Sequence, residues 1–485
     1  MRRYFVMRTV KMISLGLGLL MSADGCGDSG RESGDAGDSQ GWVTNTPTTL
    51  TTASAGTVAT QGDSEAGTAS QGMTMTPTTT MSAPTEGQST DAIKFDLGTV
   101  DVGVDPCDGN GGTVDFSYLW VANTDQGSIS KVNTETLVEE ARYYSEASQA
   151  GGASPSRTSV NIDGHHVVVS NRGTGWVTKV AASSADCPDS NGNGVIDTSQ
   201  DKDDLRPWGS DECVLWSTQV NAPFSPGSGP RATAWGPGEY NPQTCKYENQ
   251  KVWIGWLKGP GQAVMGRLDG QTGALEAQVD LPGWPLTVDA ANGYAPYGAA
   301  IDPQGYVWTT PVDSRLAYRI DPVTLEVKAW TSPNNDSHYG MTIDGKGRVW
   351  FANWQGHGGV SMFDPMTESW ALVPGSEGNV LRGIAADPNG NVWIAANYGG
   401  VNGCGLLQVS GDTLTVVTFH TFPMCNIPVG VSIDFEDKVW MVDFDGWTYK
   451  IDPVTYEKTL VPIANQHYTY SDMTGAGLVN AIAPG

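Results

Sequence analysis

The sequence is short of positive charge. Its 485 residues include 27 Lys or Arg against 53 Asp or Glu, a formal net charge of −26. After Lys11 no basic cluster occurs. A nucleic-acid partner needs a basic footprint to displace counterions, so none is expected. Long apolar runs are also missing: Met12–Met21 has ten residues, well short of the roughly 20 that a membrane-spanning helix requires. The motifs His-Glu-x-x-His and Gly-x-Ser-x-Gly are absent, as is any useful Ser/His/Asp spacing, so the sequence offers no familiar hydrolase constellation.

What the N-terminus does hold is an export signal. Arg2, Arg3, Arg8 and Lys11 precede the apolar run, and Ala23-Asp24-Gly25 follows it. That order predicts a signal peptide over residues 1–25 and an exported protein of the outer cell envelope or periplasm. Cys26 resembles a bacterial lipoprotein processing site, with lipidation of that cysteine as the sole membrane attachment. Ala23 stands where that pattern has Leu, which leaves ordinary cleavage after Gly25 as the alternative. Residues 26–114 are rich in Ser, Thr, Gly, Asp and Pro and nearly empty of large apolar side chains. Such a segment cannot bury enough surface to offset its ordering entropy and reads as a disordered stalk.

A repeat occupies residues 115–485. Its unit is a short apolar strand ending in Asp, a Gly turn, a strand with Val-Trp, a third strand closing on Asp-Pro-x-Thr, and a fourth. Four copies are plain, with Trp308, Trp350, Trp393 and Trp440 spaced 42, 43 and 47 residues apart. That is the period of a four-stranded propeller blade. Weaker copies centre on Trp120, Val168 and Trp253, giving an all-β, seven-bladed propeller. Insertions at 183–212 and 236–250 account for the long gap between Val168 and Trp253. The first blade lacks its leading strand, and Gly477–Ile482 looks like that strand, so the C-terminus is expected to close the ring. One tryptophan per blade at a fixed strand position points to packing, not to sugar stacking.

The unit Gly-x-x-x-Asp-x-x-Gly-x-Val-Trp with its Asp-Pro-x-Thr turn resembles the streptogramin B (virginiamycin B) lyase family and related NHL-like propellers. The resemblance implies a ligand face carrying His just before the first-strand Gly and Glu three residues past the tryptophan, with Mg²⁺ assisting an elimination. Here the first position reads Tyr297, Tyr339, Arg382 and Val429. The second reads Asn123, Asn171, Trp256, Pro311, Asn353, Ala396 and Asp443, with no Glu, and His338 is displaced by one. A proton abstraction needs a base and Mg²⁺ needs carboxylates, so the lyase reaction is not supported. A lyase-type enzyme with an altered or lost site stays as the alternative to a binding module.

Loops entering first strands and leaving second strands should share one propeller face. They gather Asn123, Asn171, Arg172, Tyr297, His338, Tyr339, Asn353, Trp354, Arg382, Asn397, Tyr398 and Asp443. Amides and aromatic faces suit a glycan, a peptide or another envelope protein, bound by a monomer; capping of turns by the same Asn and Asp residues is the bland reading. Cys26 apart, six cysteines remain in an exported chain, and topology suggests Cys404 with Cys425, Cys187 with Cys213 and, by elimination, Cys107 with Cys245. Within the first insertion Asp189-Ser190-Asn191-Gly192-Asn193-Gly194-Val195-Ile196-Asp197 matches an EF-hand-like loop. It predicts a structural Ca²⁺ held by Asp189, Asn191, Asn193, Val195, Asp197 and Asp201, with an Asx-rich turn without metal as the alternative.

Overall fold

A computed structural model describes residues 117–149, 151–286, 292–354, 358–397, 403–463, 466–470 and 472–482. The signal peptide, Cys26, Cys107 and the stalk lie outside them. Seven antiparallel sheets follow one another in the order of the chain, as the repeat predicts. The inner strands of blades two to seven are Pro155–Val160, Thr233–Gly236, Gly298–Ile301, His338–Ile343, Val380–Ala386 and Pro428–Ile433. Each leads outward through three further strands. In blade three the second insertion forms a small hairpin, Glu239–Asn241 with Lys246–Glu248.

The repeat motif explains itself as structure. In each plain copy the Asp that ends the inner strand accepts the indole N–H of the tryptophan six residues on: Asp302 from Trp308, Asp344 from Trp350, Asp387 from Trp393 and Asp434 from Trp440, all at 2.8 Å. The other carboxylate oxygen accepts backbone N–H groups of the intervening turn. One side chain therefore holds both the turn and the tryptophan, which is fully buried in every copy. The outer Asp-Pro-x-Thr turn works the same way. Asp321 and Asp452 accept two backbone N–H groups each, and Leu325 and Tyr456 then take positive φ to finish the turn.

Blade one has three strands of its own, Tyr118–Asn123, Ser128–Asn133 and Glu139–Tyr144. The C-terminus supplies the fourth, but with different residues from those expected. Residues 466–470 and 472–473 run beside Tyr118–Asn123: Thr124 N–H donates to the Gln466 carbonyl at 2.8 Å, Tyr468 N–H to that of Ala122 at 3.3 Å and Trp120 N–H to that of Met473 at 2.9 Å. A bridge pairs Asn123 with His467. Gly477–Ile482, read as the closing strand, is instead part of a helix, Ala476–Ile482. A short apolar run does not reveal its own period. The decisive signal is Asp472, whose carboxylate accepts the N–H groups of Gly475 at 2.9 Å and Leu478 at 2.8 Å and so caps the helix start. Ala476, Leu478 and Ala481 are buried. At this end of the channel Leu478 and Ala481 border a cavity of about 60 Å³, lined also by Ala300, Met341 and Ile384.

Candidate functional site

The opposite end of the channel is ringed by the loops that the blade pattern brings together. Their side chains divide into two groups. Asn123, Asn171, Asn353 and Asp443 end second strands and are fully buried. Asn123 donates to Ser128 and Ser130, and Asn171 to the carbonyls of Ser145 and Trp176. Asn353 accepts the Ser337 N–H and donates to the Gly359 carbonyl, and Asp443 accepts the N–H groups of Asn426 and Ile427. These four side chains bond their own or adjoining loops, as Asx residues do where backbone polar groups are buried, while Asn123 Oδ1 and Asn171 Oδ1 keep no partner. Burial raises the Asp443 carboxyl above its ordinary value, and the bonds from Asp445, Asn426 and Ile427 oppose it.

His338 is also withdrawn from the channel. Its ring stacks on Phe351 at 4.1 Å and Trp370 at 5.9 Å, and Nδ1 lies 3.0 Å from the Thr310 hydroxyl. Asp336 approaches Nε2 at 3.7 Å, longer than a hydrogen bond, and both side chains have no exposure. Burial acts to raise the Asp336 carboxyl, but the neighbouring His338 and hydrogen bonds from Ser332 and Ser361 outweigh it and hold the group below its ordinary value.

The second group is aromatic and cationic. Tyr297 and Tyr339 meet Tyr468 and Tyr470 of the closing segment. Tyr339 hydroxyl lies 3.0 Å from that of Tyr297, 2.8 Å from Tyr468 and 2.9 Å from Tyr470, and Tyr297 also bonds Tyr468. Burial raises all four phenols, so they stay neutral and able to donate. Arg157 lies over the rings of Tyr470 at 4.1 Å and Tyr297 at 4.6 Å and donates to two carbonyls. Arg172, half-buried, lies 4.3 Å over Tyr468. Arg382, which is 3% exposed, faces the Trp354 ring at 5.1 Å and donates through Nη1 to Asn397 at 2.5 Å. Its Nε–H has no partner. No carboxylate pairs with Arg157 or Arg382 among the described residues, despite the acidity of the chain. Tyr398 falls outside the described residues.

Three members of this cluster escaped the sequence reading. Arg157 sits in blade two, where the motif is weak, and Tyr468 and Tyr470 sit in a segment with no repeat signature. The alternation Tyr468-Thr469-Tyr470 was the available signal of a strand presenting one face to the channel.

In the first insertion the acidic loop closes on itself. Asp189 accepts the N–H groups of Gly192, Asn193 and Gly194, and the Asn191 and Asn193 amides both reach Asp197. Val195 is exposed, with its N–H on Asn193. Asp201 turns away to bind the N–H groups of Asp203 and Asp204. Glu212, from beyond the loop, accepts the N–H groups of Ser190, Asn191 and Asp197. Asp189, Asn191, Asn193 and Asp197 offer oxygen atoms only, the donor type that Ca²⁺ prefers, but Asp189, Asp197 and Glu212 do not bring their carboxylates close enough together here to share one ion.

Cys187 pairs with Cys213 and Cys404 with Cys425, at Cα separations of 4.8 and 5.6 Å. Cys245 is also disulfide-bonded, and Cys107, its expected partner, lies outside the described residues. Among the described residues, Cys404, Cys425 and Asp443 are the only three His, Cys, Asp or Glu residues close enough to share a metal. Two of them are joined to each other.

No protein-family model matches the chain, and no curated protein matches it in sequence. Solved structures do resemble it. Virginiamycin B lyase from Staphylococcus aureus is 13% identical over 66% of this chain and 90% of that one, with a TM-score of 0.45. A streptogramin B lyase structure is 15% identical over 68% and 88%, with a TM-score of 0.47. A functionally unknown protein from Desulfotomaculum acetoxidans is 12% identical over 72% and 97%, with a TM-score of 0.49. At these identities the likeness is one of fold, and the propeller of this chain is similar in fold to the streptogramin B lyases.

Proposed function

We propose that this chain is an exported propeller, tethered by a lipid on Cys26, that binds a polar ligand at the channel mouth: a glycan, a peptide or another envelope protein. The observation that carries the reading is Arg382, a buried guanidinium with one N–H unpartnered, set between Trp354, Asn397 and Tyr470. Leaving a buried donor unpaired costs about 1–3 kcal/mol, and more for a charged group. An acceptor atom from a ligand would relieve that cost while its apolar faces meet the aromatic rings. Paired cysteines are consistent with an oxidising compartment. The test is a glycan and peptide array probed with the full mature chain and its Arg382→Gln variant. Retention by the wild type, weakened at least tenfold in the variant, supports the reading. Equal retention by both contradicts it.

The insertion loop Asp189–Asp197 adds a structural Ca²⁺ to this proposal, with the Asp189 and Asp197 carboxylates closing on the ion as it binds. It would fix the shape of the insertion and take no part at the channel mouth.

The lyase alternative draws on Asp336 and His338, an acid and a base in proximity. Their full burial and their engagement with Ser332, Ser361 and Thr310 argue for a structural role.

A further inference from the structure

We propose a second ligand site, between the blade-two insertion and the outer part of blade one, that takes a neutral polyhydroxylated molecule of monosaccharide size. A cavity of about 390 Å³ lies there, within the range of small-molecule sites, about 300–1,000 Å³. Blade one contributes Tyr118, Lys131 and Glu140, and the insertion contributes Ser184, Thr198 and Gln200.

The insertion side of this cavity is firmly placed. The Cys187–Cys213 disulfide closes its base. Asp211 accepts the Thr198 hydroxyl at 2.8 Å, the Ser199 N–H at 3.0 Å and the Cys213 N–H at 3.0 Å. The Ser199 hydroxyl in turn accepts the Arg142 N–H at 3.0 Å, which fastens the insertion to the exposed edge of Glu139–Tyr144. A site held in advance of its ligand loses little on ordering.

Lys131 points to what fills it. The residue is 9% exposed and lines the cavity. Its ammonium lies 4.1 Å over the Tyr118 ring, and Glu140 Oε2, at 3.7 Å, is too far for a hydrogen bond. Burial lowers its pKa, and Glu140 opposes that. The ammonium is ion-paired with Glu140 and borders the cavity, so it keeps donors free for an acceptor placed there.

The chemistry of the lining selects the class. Lys131 and Glu140 cancel in charge, so an anion would meet Glu140 and a cation would meet Lys131. A hydroxyl beside both accepts from the ammonium and donates to the carboxylate, bridging a gap that the two do not close directly. The remaining hydroxyls and the Gln200 amide each give and take hydrogen bonds, as sugar hydroxyls do.

The test is a ligand-observed NMR titration of the full mature chain with D-glucose, D-galactose and N-acetyl-D-glucosamine. Saturable binding of at least one is expected. Lys131→Met and Glu140→Gln should each weaken it at least tenfold. Ser184→Trp, at an exposed rim position, should block it without touching the charged pair, which keeps the test decisive if Lys131→Met misfolds. No saturation with any of the three sugars, or saturation undiminished in Ser184→Trp, would overturn the site. Saturation by acetate or glycine in place of sugars would overturn the ligand class.

Discussion

In each of blades four to seven a single aspartate does two jobs, and that double role made the repeat legible. Asp344 accepts the Trp350 indole and the Arg348 guanidinium through Oδ2 and two turn N–H groups through Oδ1. Asp344→Ala should cost at least the about 1–3 kcal/mol of the orphaned indole, read as a lower denaturant midpoint, and Asp344→Asn should cost less because its oxygen still serves the turn. Equal loss in both variants would mean that the turn bonds contribute nothing. Asp336 makes a pH prediction. Its folded pKa is below the ordinary 3.8, so its contribution to stability is present above that value and is lost as pH falls through the lower, folded one. The stability gap between wild type and Asp336→Asn should therefore narrow below pH 3.8; a gap that stays constant would contradict the assignment. The same motif that reveals a blade conceals the direction of its loop side chains. Asn123, Asn171, Asn353 and Asp443 occupy the expected loops and also bond the groups of those loops, a role set by polar partners that the sequence does not show.

Among the elements, closure of the ring was legible and the identity of the closing segment was not. The missing first strand of blade one requires a partner from the C-terminus, but the residues that pair are polar and aromatic, while the apolar stretch after them is capped into a helix by Asp472. Truncation after Gly475 should therefore leave the ring closed and cost about 2–4 kcal/mol, mainly from burial of Leu478 and Ala481. Truncation after Ile463 should open an edge of blade one and cause aggregation. Similar melting of the two truncated chains would contradict this division. In the insertion, Glu212 completes the acidic loop from 15 residues beyond Asp197, a distance no local motif encodes. Millimolar Ca²⁺ should raise the melting temperature of the wild type by binding the folded state alone, and should not do so in Asp189→Ala with Asp197→Ala. Equal melting of the wild type in calcium and in chelator would remove the site.

At the scale of the molecule, a chain with 53 acidic residues and 27 basic ones has gathered Arg157, Arg172 and Arg382 with four tyrosines at one end of its channel. The lyase-like repeat carries the scaffold, and one propeller scaffold serves many functions, so the side chains at this mouth decide what the molecule does. They offer donors and aromatic faces, with Asp443 turned into its own loop and His338 stacked between Phe351 and Trp370. The most direct measurement of the central claim, binding without elimination, is mass spectrometry of a streptogramin B antibiotic incubated with the full mature chain and Mg²⁺. The account predicts an unchanged antibiotic. A linearised product that forms with Mg²⁺ and disappears in chelator would contradict it.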